Sequence, residues 1–157
     1  MEISDMLAPE AVIAALKVQN KKQLLHELSE RAAVLTQLPA RRILETLTER
    51  ERLGTTGMGQ GIAIPHGRLG GLARITALFA RLDPPIAYDA IDNQPVDLVF
   101  LLLAPENAGA DHLKALARVS RLLRNQTVCE KLRATSDPEV LYALLTEPNA
   151  AGTSQAA

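Results

Sequence analysis

The stretches ITALFARL (residues 75–82) and VDLVFLLL (residues 96–103) decide the fold. Each ends at turn residues, Asp83-Pro84-Pro85 after the first and Ala104-Pro105-Glu106 after the second. Short apolar runs bounded in this way are typical of strands that are buried on both faces of a sheet. We therefore predict that both stretches are central strands, and that a further short strand lies at residues 12–15.

Two helices are predicted between residue 20 and the glycine at position 54, because apolar residues recur there with helical spacing. Asn20 and Gln23 resemble a capping box at the start of the first helix. Pro39 suits the first turn of the second helix, where its missing N–H has no intrahelical partner to lose. Gly54 is expected to end that helix.

Three more helices are predicted after the second central strand. Asp111 is the expected N-cap of the first of them, so that His112 opens the helix. That helix is expected to run to about residue 125, and the next two are expected at residues 127–133 and 137–145.

Helices that alternate with buried strands predict the α/β class, as a single domain with one mixed β-sheet flanked by helices. The predicted domain spans residues 1–147. From Pro148 onward the residues are mostly small or polar. We expect residues 148–157 to be a disordered C-terminal tail.

Composition and charge exclude several classes of function. The chain has 17 basic and 18 acidic residues that are well mixed, which gives no basic footprint for nucleic acid. No apolar run is long enough to span a bilayer, and the acidic N-terminus lacks the basic region of a signal peptide. The single cysteine, Cys129, is expected to be a small core residue in a reducing compartment. We expect a cytoplasmic protein with no membrane insertion and no nucleic-acid partner.

A glycine-rich segment, GTTGMGQGIAIPHG at residues 54–67, follows the second predicted helix. A nucleotide-binding P-loop needs Gly-Lys-Ser/Thr at the start of a helix, and a dinucleotide fingerprint needs a strand before it. Here a helix precedes and a strand follows, so direct nucleotide binding is not expected. Glycines can instead turn backbone amides toward a small anion such as a phosphoryl group. We expect a loop, a short strand, and an exposed turn that presents His66 between Pro65 and Gly67.

Three side chains are candidates for chemistry in this region. His66 is a candidate nucleophile, because much of a histidine population is unprotonated near neutral pH. Arg50 and His112 are candidate donors to a phosphoryl group on His66, and the helix N-terminus at His112 would add its amides. Spacing alone leaves a non-functional alternative open for each of them. His66 could be only a turn residue, Arg50 only a solvated charge, and His112 only the first residue of a helix. His26, on the first helix, is expected to have no functional role.

The segment at residues 54–67 resembles the phosphorylation-site signature of the enzyme IIA components of the phosphotransferase system, fructose–mannitol class, especially the nitrogen-regulatory branch. The similarity continues through residues 85–100 and from Asp111 to about residue 145. It implies a mixed sheet flanked by helices and a phosphoryl group carried on His66. It also implies that His112 and Arg50 stabilise the transferred charge, with no metal and no cofactor.

The same resemblance implies the partners. The donor would be a histidine-phosphorylated carrier of the HPr type, supplied in turn by enzyme I and phosphoenolpyruvate. No fused IIB or membrane segment is seen in this sequence, which favours a regulatory output. Regulatory targets of the nitrogen branch are proteins such as sensor kinases, potassium-transport components or stringent-response enzymes.

Three alternatives remain open from the sequence. The chain could be a non-catalytic protein-binding module, or a sugar-transport IIA component that donates to a separate IIB. It could also hold a metal on His66, His112 and a carboxylate such as Asp111 or Glu106. No His-x-x-x-His or Cys-x-x-Cys spacing supports the metal site.

Overall fold

The computed structural model describes residues 1–147, so the predicted tail at 148–157 lies outside the described residues. This part of the chain contains a six-stranded sheet and five α-helices, with short 3₁₀ turns at Ile3–Asp5 and Pro9–Ala11. The strands are β1 (Val12–Leu16), β2 (Gly57–Gly59), β3 (Ile62–Ala63), β4 (His66–Leu69), β5 (Thr76–Ile86) and β6 (Val96–Pro105). The helices are α1 (Lys21–Thr36), α2 (Ala40–Arg52), α3 (Ala110–Leu123), α4 (Gln126–Arg133) and α5 (Pro138–Thr146).

The two predicted central strands lie at the centre of the sheet. The strand order is β1-β5-β6-β3-β2, and β4 also pairs with β6. β5 is antiparallel to β6 and parallel to β1, while β3 and β4 are both parallel to β6. No residue from 98 to 104 on β6 is more than 1% exposed, as expected of a strand covered on both faces. The predicted α/β fold with one mixed sheet is confirmed.

β3 and β4 lie along the same edge of β6 and behave as one interrupted strand. β3 pairs with Leu98 and Val99, and β4 pairs with residues 102–105. Between them, the carbonyl of Pro65 accepts a hydrogen bond from the amide of Leu102 at 3.0 Å, while Pro65 has no N–H to donate. The interruption places His66 at the first position of β4.

The helices close over this sheet and position its edges. α1 packs against α2 and β5, α2 against β4, α3 against β6, and α5 against β1. At the start of α1, Asn20 accepts from the amide of Gln23 as predicted, whereas the Gln23 side chain accepts from the amide of Gln19 instead of that of Asn20. None of the helices within residues 1–147 is long and apolar enough to cross a membrane.

Two boundary predictions were wrong, apart from the end of β6, which lies at Pro105 and not at residue 103. β5 does not end at residue 82 but continues through Asp83-Pro84-Pro85 to Ile86, which pairs with Val96 after a register shift. The prolines are tolerated because β1 pairs with β5 only as far as Leu82, so beyond that point β5 has a free edge.

The second correction concerns α3. Its N-cap is Gly109, with φ of 59°, and not Asp111. The amide of Asp111 donates to the carbonyl of Ala108, and that of His112 donates to the carbonyl of Gly109. His112 is therefore the third residue of the helix, and its amide is not free to bind an anion.

Candidate functional site

Arg50 and His66 meet where the last turn of α2 lies against the start of β4. Nε of Arg50 donates to Nε2 of His66 at 3.3 Å, and Nη1 donates to the carbonyl of Gly54 at 2.8 Å. Helix and strand approach closely because residue 67 is glycine. A Cβ built on Gly67 would lie 2.5 Å from Cγ2 of Thr46 on α2. Gly67 thus lets α2 bring Arg50 within reach of the imidazole.

The contacts of His66 fix which ring nitrogen carries its hydrogen. Nδ1 lies 2.9 Å from the carbonyl of Ile64, and a carbonyl can only accept, so Nδ1 carries the hydrogen. Burial lowers the pKa of His66 below its usual 6.5, the Ile64 carbonyl opposes this effect, and the positive charge of Arg50 adds to it. His66 is therefore neutral near pH 7, with its lone pair on Nε2.

The second predicted histidine lies beside the first. The rings of His66 and His112 are 5.7 Å apart between centroids and are tilted by 60°. His112 is only 5% exposed, and its Nδ1 is buried without a hydrogen-bond partner among residues 1–147. Burial is the main reason that its pKa is lowered, and the neighbouring His66 and Arg68 lower it further. The structure thus brings Arg50, His66 and His112 together, with both imidazoles neutral.

The glycine-rich segment differs from the open anion cradle that we predicted. Its amides are largely engaged: that of Thr56 donates to Glu51, that of Gln60 to Asp92, and that of Ile64 to the carbonyl of Thr56. β2 and β3 pair as a short antiparallel hairpin. His66 is also half-buried at the start of a strand, where we had predicted an exposed turn. These amides position the histidine and are not free donors.

A buried polar cluster anchors the start of this hairpin. The carboxylate of Glu51 accepts from Lys21 Nζ at 2.7 Å, from the amide of Thr56 at 3.1 Å, from the hydroxyl of Thr56, and from Tyr88 at 3.2 Å. The Thr56 and Tyr88 hydroxyls are 2.8 Å apart, and Lys21 lies 4.5 Å from the centre of the Tyr88 ring. The cluster joins α1, α2 and the segment after β5 to the hairpin.

The cluster changes the acidity of both of its acidic groups. Burial by itself would raise the pKa of Glu51, but the hydrogen bonds from Lys21 and Thr56 together outweigh burial and lower it. Burial raises the pKa of Tyr88, and the adjacent Glu51 carboxylate raises it further. Glu51 is therefore a carboxylate and Tyr88 a neutral donor at neutral pH.

Two further contacts hold the tip of the hairpin at Gln60. Oδ2 of Asp92 accepts from the Gln60 amide at 2.9 Å. Arg133 on α4 binds Asp97 with two nitrogens, at 2.8 and 2.9 Å, and donates to the Gln60 carbonyl at 2.8 Å. Because a two-pronged arginine–carboxylate pair is geometrically specific, the tip is fixed relative to both α4 and β6.

Sequence reasoning missed Glu51, Thr56, Tyr88 and Arg68. Arg68 follows His66 by two residues on β4, so both side chains leave the same side of the strand. The signal that could have identified Arg68 is the two-residue period of a strand, which puts residues 66 and 68 on the same side. The predicted turn at His66 excluded a strand there, so this period was not considered. The Glu51 cluster has no periodic signal, since its members come from four separate segments.

The metal alternative would need a third ligand beside His66 and His112. Within the described part of the chain, no group of three or more His, Cys, Asp or Glu side chains is close enough to hold a metal ion. Cys129 is buried as predicted, with its Sγ 3.1 Å from the carbonyl of Leu123. His26 lies exposed on α1, 3.8 Å from Glu30.

The sequence of this chain was compared with protein families and with known proteins. Residues 5–147 match the family described as phosphoenolpyruvate-dependent sugar phosphotransferase system, EIIA 2. The nitrogen regulatory protein of Bradyrhizobium diazoefficiens is 58% identical over 150 residues, covering 96% of this chain and 98% of that protein.

Solved structures give the same result for the fold. The crystal structure of the nitrogen regulatory protein IIA-Ntr from Neisseria meningitidis superposes with a TM-score of 0.87 at 37% identity, covering 92% of this chain and 99% of that one. IIA mannitol from Escherichia coli superposes with a TM-score of 0.74 at 20% identity, covering 88% and 98% of the two chains. At that identity, the second likeness concerns the fold alone.

Proposed function

Because the chain belongs to the EIIA 2 family of the phosphoenolpyruvate-dependent sugar phosphotransferase system, we propose that it is a regulatory phosphoryl carrier charged on His66. The observation that carries this proposal is the state of His66. Its Nδ1–H is held by the Ile64 carbonyl, and the lone pair of Nε2 faces Arg50. A neutral imidazole fixed in this tautomer is ready for attack on phosphorus.

The proposed step is an in-line transfer between two imidazoles. The lone pair of His66 Nε2 forms a bond to the phosphorus as the donor's N–P bond breaks, and that electron pair returns to the donor nitrogen. His66 keeps its Nδ1 hydrogen throughout, so no proton has to leave the ring. The site contributes mainly position and charge stabilisation, and the scheme involves no metal or cofactor.

Arg50 and His112 are the proposed charge-stabilising groups. The Arg50 guanidinium already contacts Nε2, where the phosphoryl group will be attached, so a small shift carries its N–H groups onto the phosphoryl oxygens. His112 is neutral and lies beside His66, so its ring can donate one N–H without adding charge. The amides of Asp111 and His112 on α3, and those of Thr56, Gln60 and Ile64 in the glycine-rich segment, donate to other acceptors and are given no role.

A protein donor fits the surface around this site. Four large apolar side chains on the elements around the site residues and the hairpin are about half exposed or more: Leu53, Met58, Ile91 and Leu113. Leu53 ends α2, Met58 lies on β2, and Leu113 follows His112, while the Ile91 amide is bonded to Gly57 in the hairpin. Exposed apolar residues around a polar centre are typical of a protein docking surface. We assign this surface to the HPr-like carrier.

A regulatory role is favoured by relatives that carry the name nitrogen regulatory protein, one of them at 58% identity over nearly the full length of both chains. Phosphorylation would add close to two negative charges amid the apolar residues of the docking surface. A target that binds the free surface would then bind the phosphorylated one differently. Sensor kinases, potassium-transport components and stringent-response enzymes are the proposed target classes, and the cytoplasm is the proposed compartment.

The test is a reconstituted transfer. The protein is incubated with phosphoenolpyruvate, enzyme I and the HPr-like carrier, and an acid-labile mass increase of one phosphoryl group is sought, with His66→Ala alongside. We expect labelling of the wild type and none of the variant. Label retained by His66→Ala would move the site to another residue.

Failure of a cognate donor set to label the wild type, with a known acceptor labelled in parallel, would leave the binding-module alternative. Transfer onward from the labelled protein to a separate IIB would instead favour the sugar-transport alternative.

A further inference from the structure

Arg68 is a positive charge near the nucleophile that the proposed step does not use. It lies on β4 two residues after His66, and the strand's burial alternates so that Gly67 and Leu69 are buried while Arg68 is exposed. Arg68 and His66 therefore project from the same side of the strand. The guanidinium is also close enough to His112 to disfavour protonation of that ring. Arg68 thus belongs to the surroundings of both histidines.

The guanidinium of Arg68 makes no hydrogen bond or ion pair with any residue in the range 1–147. Two carboxylates follow β6 in the chain, and neither forms an ion pair with Arg68. Glu106 lies in the connection to α3 and approaches Gly70, and Asp111 lies in the first turn of α3. Arg50, in contrast, is committed at Nε to His66 and at Nη1 to Gly54. Of these two arginines, Arg68 is therefore the one whose guanidinium has no hydrogen-bond or ion-pair partner among residues 1–147 and can act on a charge at a distance.

The charge balance of the site indicates what the positive charge of Arg68 could do. A phosphoryl group on an imidazole carries nearly two negative charges, and both histidines of the site are neutral, so the cation already in contact with His66 is Arg50. An exposed charge is screened over about 10 Å at 0.1 M salt, which still covers the approach of a partner to contact distance. A cation in this position raises the association rate of an oppositely charged partner more than it strengthens the final contact.

We propose that Arg68 is the specificity residue that captures the phosphorylated form of the donor protein, by attracting its dianionic phosphoryl group toward His66. This inference rests on the proposed phosphoryl-carrier function. Capture and chemistry are divided between two arginines: Arg68 acts before contact, and Arg50 acts on the reacting group. The unphosphorylated donor lacks the dianion, so it gains nothing from Arg68.

The experiment measures the second-order rate constant and the saturating rate constant of transfer from the phosphorylated HPr-like donor. Arg68→Gln is compared with wild type, with Arg68→Lys, and with Arg121→Gln. Arg121 is a matched control because it is exposed, is likewise without a side-chain partner among the described residues, and lies nine positions beyond His112 on α3.

At about 0.01 M ionic strength, Arg68→Gln should lower the second-order rate constant about tenfold and leave the saturating rate unchanged. At about 1 M ionic strength, where screening acts within about 3 Å, the difference should disappear. Arg68→Lys should behave like wild type, because steering depends on charge and not on the shape of the guanidinium. Arg68→Gln should bind the unphosphorylated donor as tightly as wild type does.

Three results would overturn the inference: a wild-type rate for Arg68→Gln at low salt, an equal loss in Arg121→Gln, or a loss that appears in the saturating rate and persists at high salt. Each of these three results counts against the inference only when the wild-type protein is itself labelled. An unlabelled wild type would instead overturn the proposed function, so the two failures are distinguishable.

Discussion

Arg50 covers the ring nitrogen of His66 that we propose as the phosphoryl acceptor. Its Nε–H points at Nε2 of His66 from 3.3 Å, and no other described side chain contacts that nitrogen. The imidazole is therefore held with its lone pair on Nε2, and that nitrogen is covered by the guanidinium. In the proposed transfer, an incoming phosphoryl group would displace the guanidinium, which would then lie beside the oxygens that it stabilises.

Arg50→Gln should slow phosphoryl transfer to His66 by about a hundredfold, the usual effect of losing one preorganised donor to a developing anion. Arg50→Lys should recover little, because an ammonium lacks the planar fork that reaches His66 and the Gly54 carbonyl together. Single-turnover labelling measures both rates. Arg41→Gln, at the exposed start of the same helix, is the control and should keep the wild-type rate. Full recovery by lysine would show that charge alone is used.

Labelling should decline at acid pH with a midpoint below 6.5. Burial and the positive charge of Arg50 hold the pKa of His66 below 6.5, and protonation removes the Nε2 lone pair as the pH falls through that lowered pKa. An NMR titration of the ring, assigned with His26→Gln, His66→Ala and His112→Gln, checks the same property directly. A midpoint at or above pH 6.5 in either measurement would contradict this account.

Glu51→Gln should lower the free energy of unfolding by about 2 kcal/mol, because a neutral amide cannot satisfy Lys21 and Thr56 as the carboxylate does. Urea unfolding at neutral pH measures the loss. Glu49→Gln is a matched control on the same helix, since Glu49 is exposed and its one ion-pair partner among residues 1–147 is Arg52. Equal losses in the two variants would mean that the buried cluster contributes no more to stability than the exposed Glu49–Arg52 pair.

The same carboxylate gives a pH dependence of stability. The pKa of Glu51 is lower in the folded than in the unfolded chain, so its contribution is complete above the unfolded value near 4.5 and is lost as pH falls through the folded value. Wild type should therefore lose stability more steeply than Glu51→Gln below pH 4.5. Parallel curves in that range would exclude Glu51 as the source.

Gly67→Ala should destabilise the protein by about 1–3 kcal/mol and slow the labelling of His66, because the new methyl group meets Cγ2 of Thr46. The clash separates α2 from β4 and lengthens the contact between Arg50 and His66. Thr46→Ser removes Cγ2 while keeping a hydroxyl that can bond the Arg42 carbonyl, so the double variant should recover both properties. A double variant no better than Gly67→Ala would show that the helix–strand distance is not the cause.

The sequence predicted the helices and strands that leave a local pattern of apolar residues. The helix that carries Arg50 was found because its apolar residues repeat with helical spacing, and the central strands were found because they are short apolar runs bounded by turn residues. The resemblance at residues 54–67 then singled out His66, and the structure brings it together with Arg50 and His112.

The errors lie where contacts between distant residues override local signals. The glycines at residues 57–61 suggested an open loop, but Glu51, Asp92 and Arg133 fix the segment as a hairpin. Likewise, Pro65 suggested a turn, but β6 continues to pair on both sides of it. A local window of sequence shows neither the three residues that anchor the hairpin nor the pairing of β6 around Pro65. Because the strand at His66 was missed, Arg68 was overlooked.

The three anchors of the glycine-rich hairpin also govern how the chain can vary in length. Surface connections ordinarily accept insertions at low cost, since loop closure depends only weakly on loop length. Here one added residue between Glu51 and His66 would shift Thr56, Gln60 or His66 out of register with its fixed partner. In the connection from β4 to β5, the Gly70 carbonyl is held by Arg42, but residues 71–73 have no side-chain hydrogen bond within the described range 1–147. Changes of length can therefore accumulate at residues 71–73 while the spacing from Arg50 to His66 stays constant.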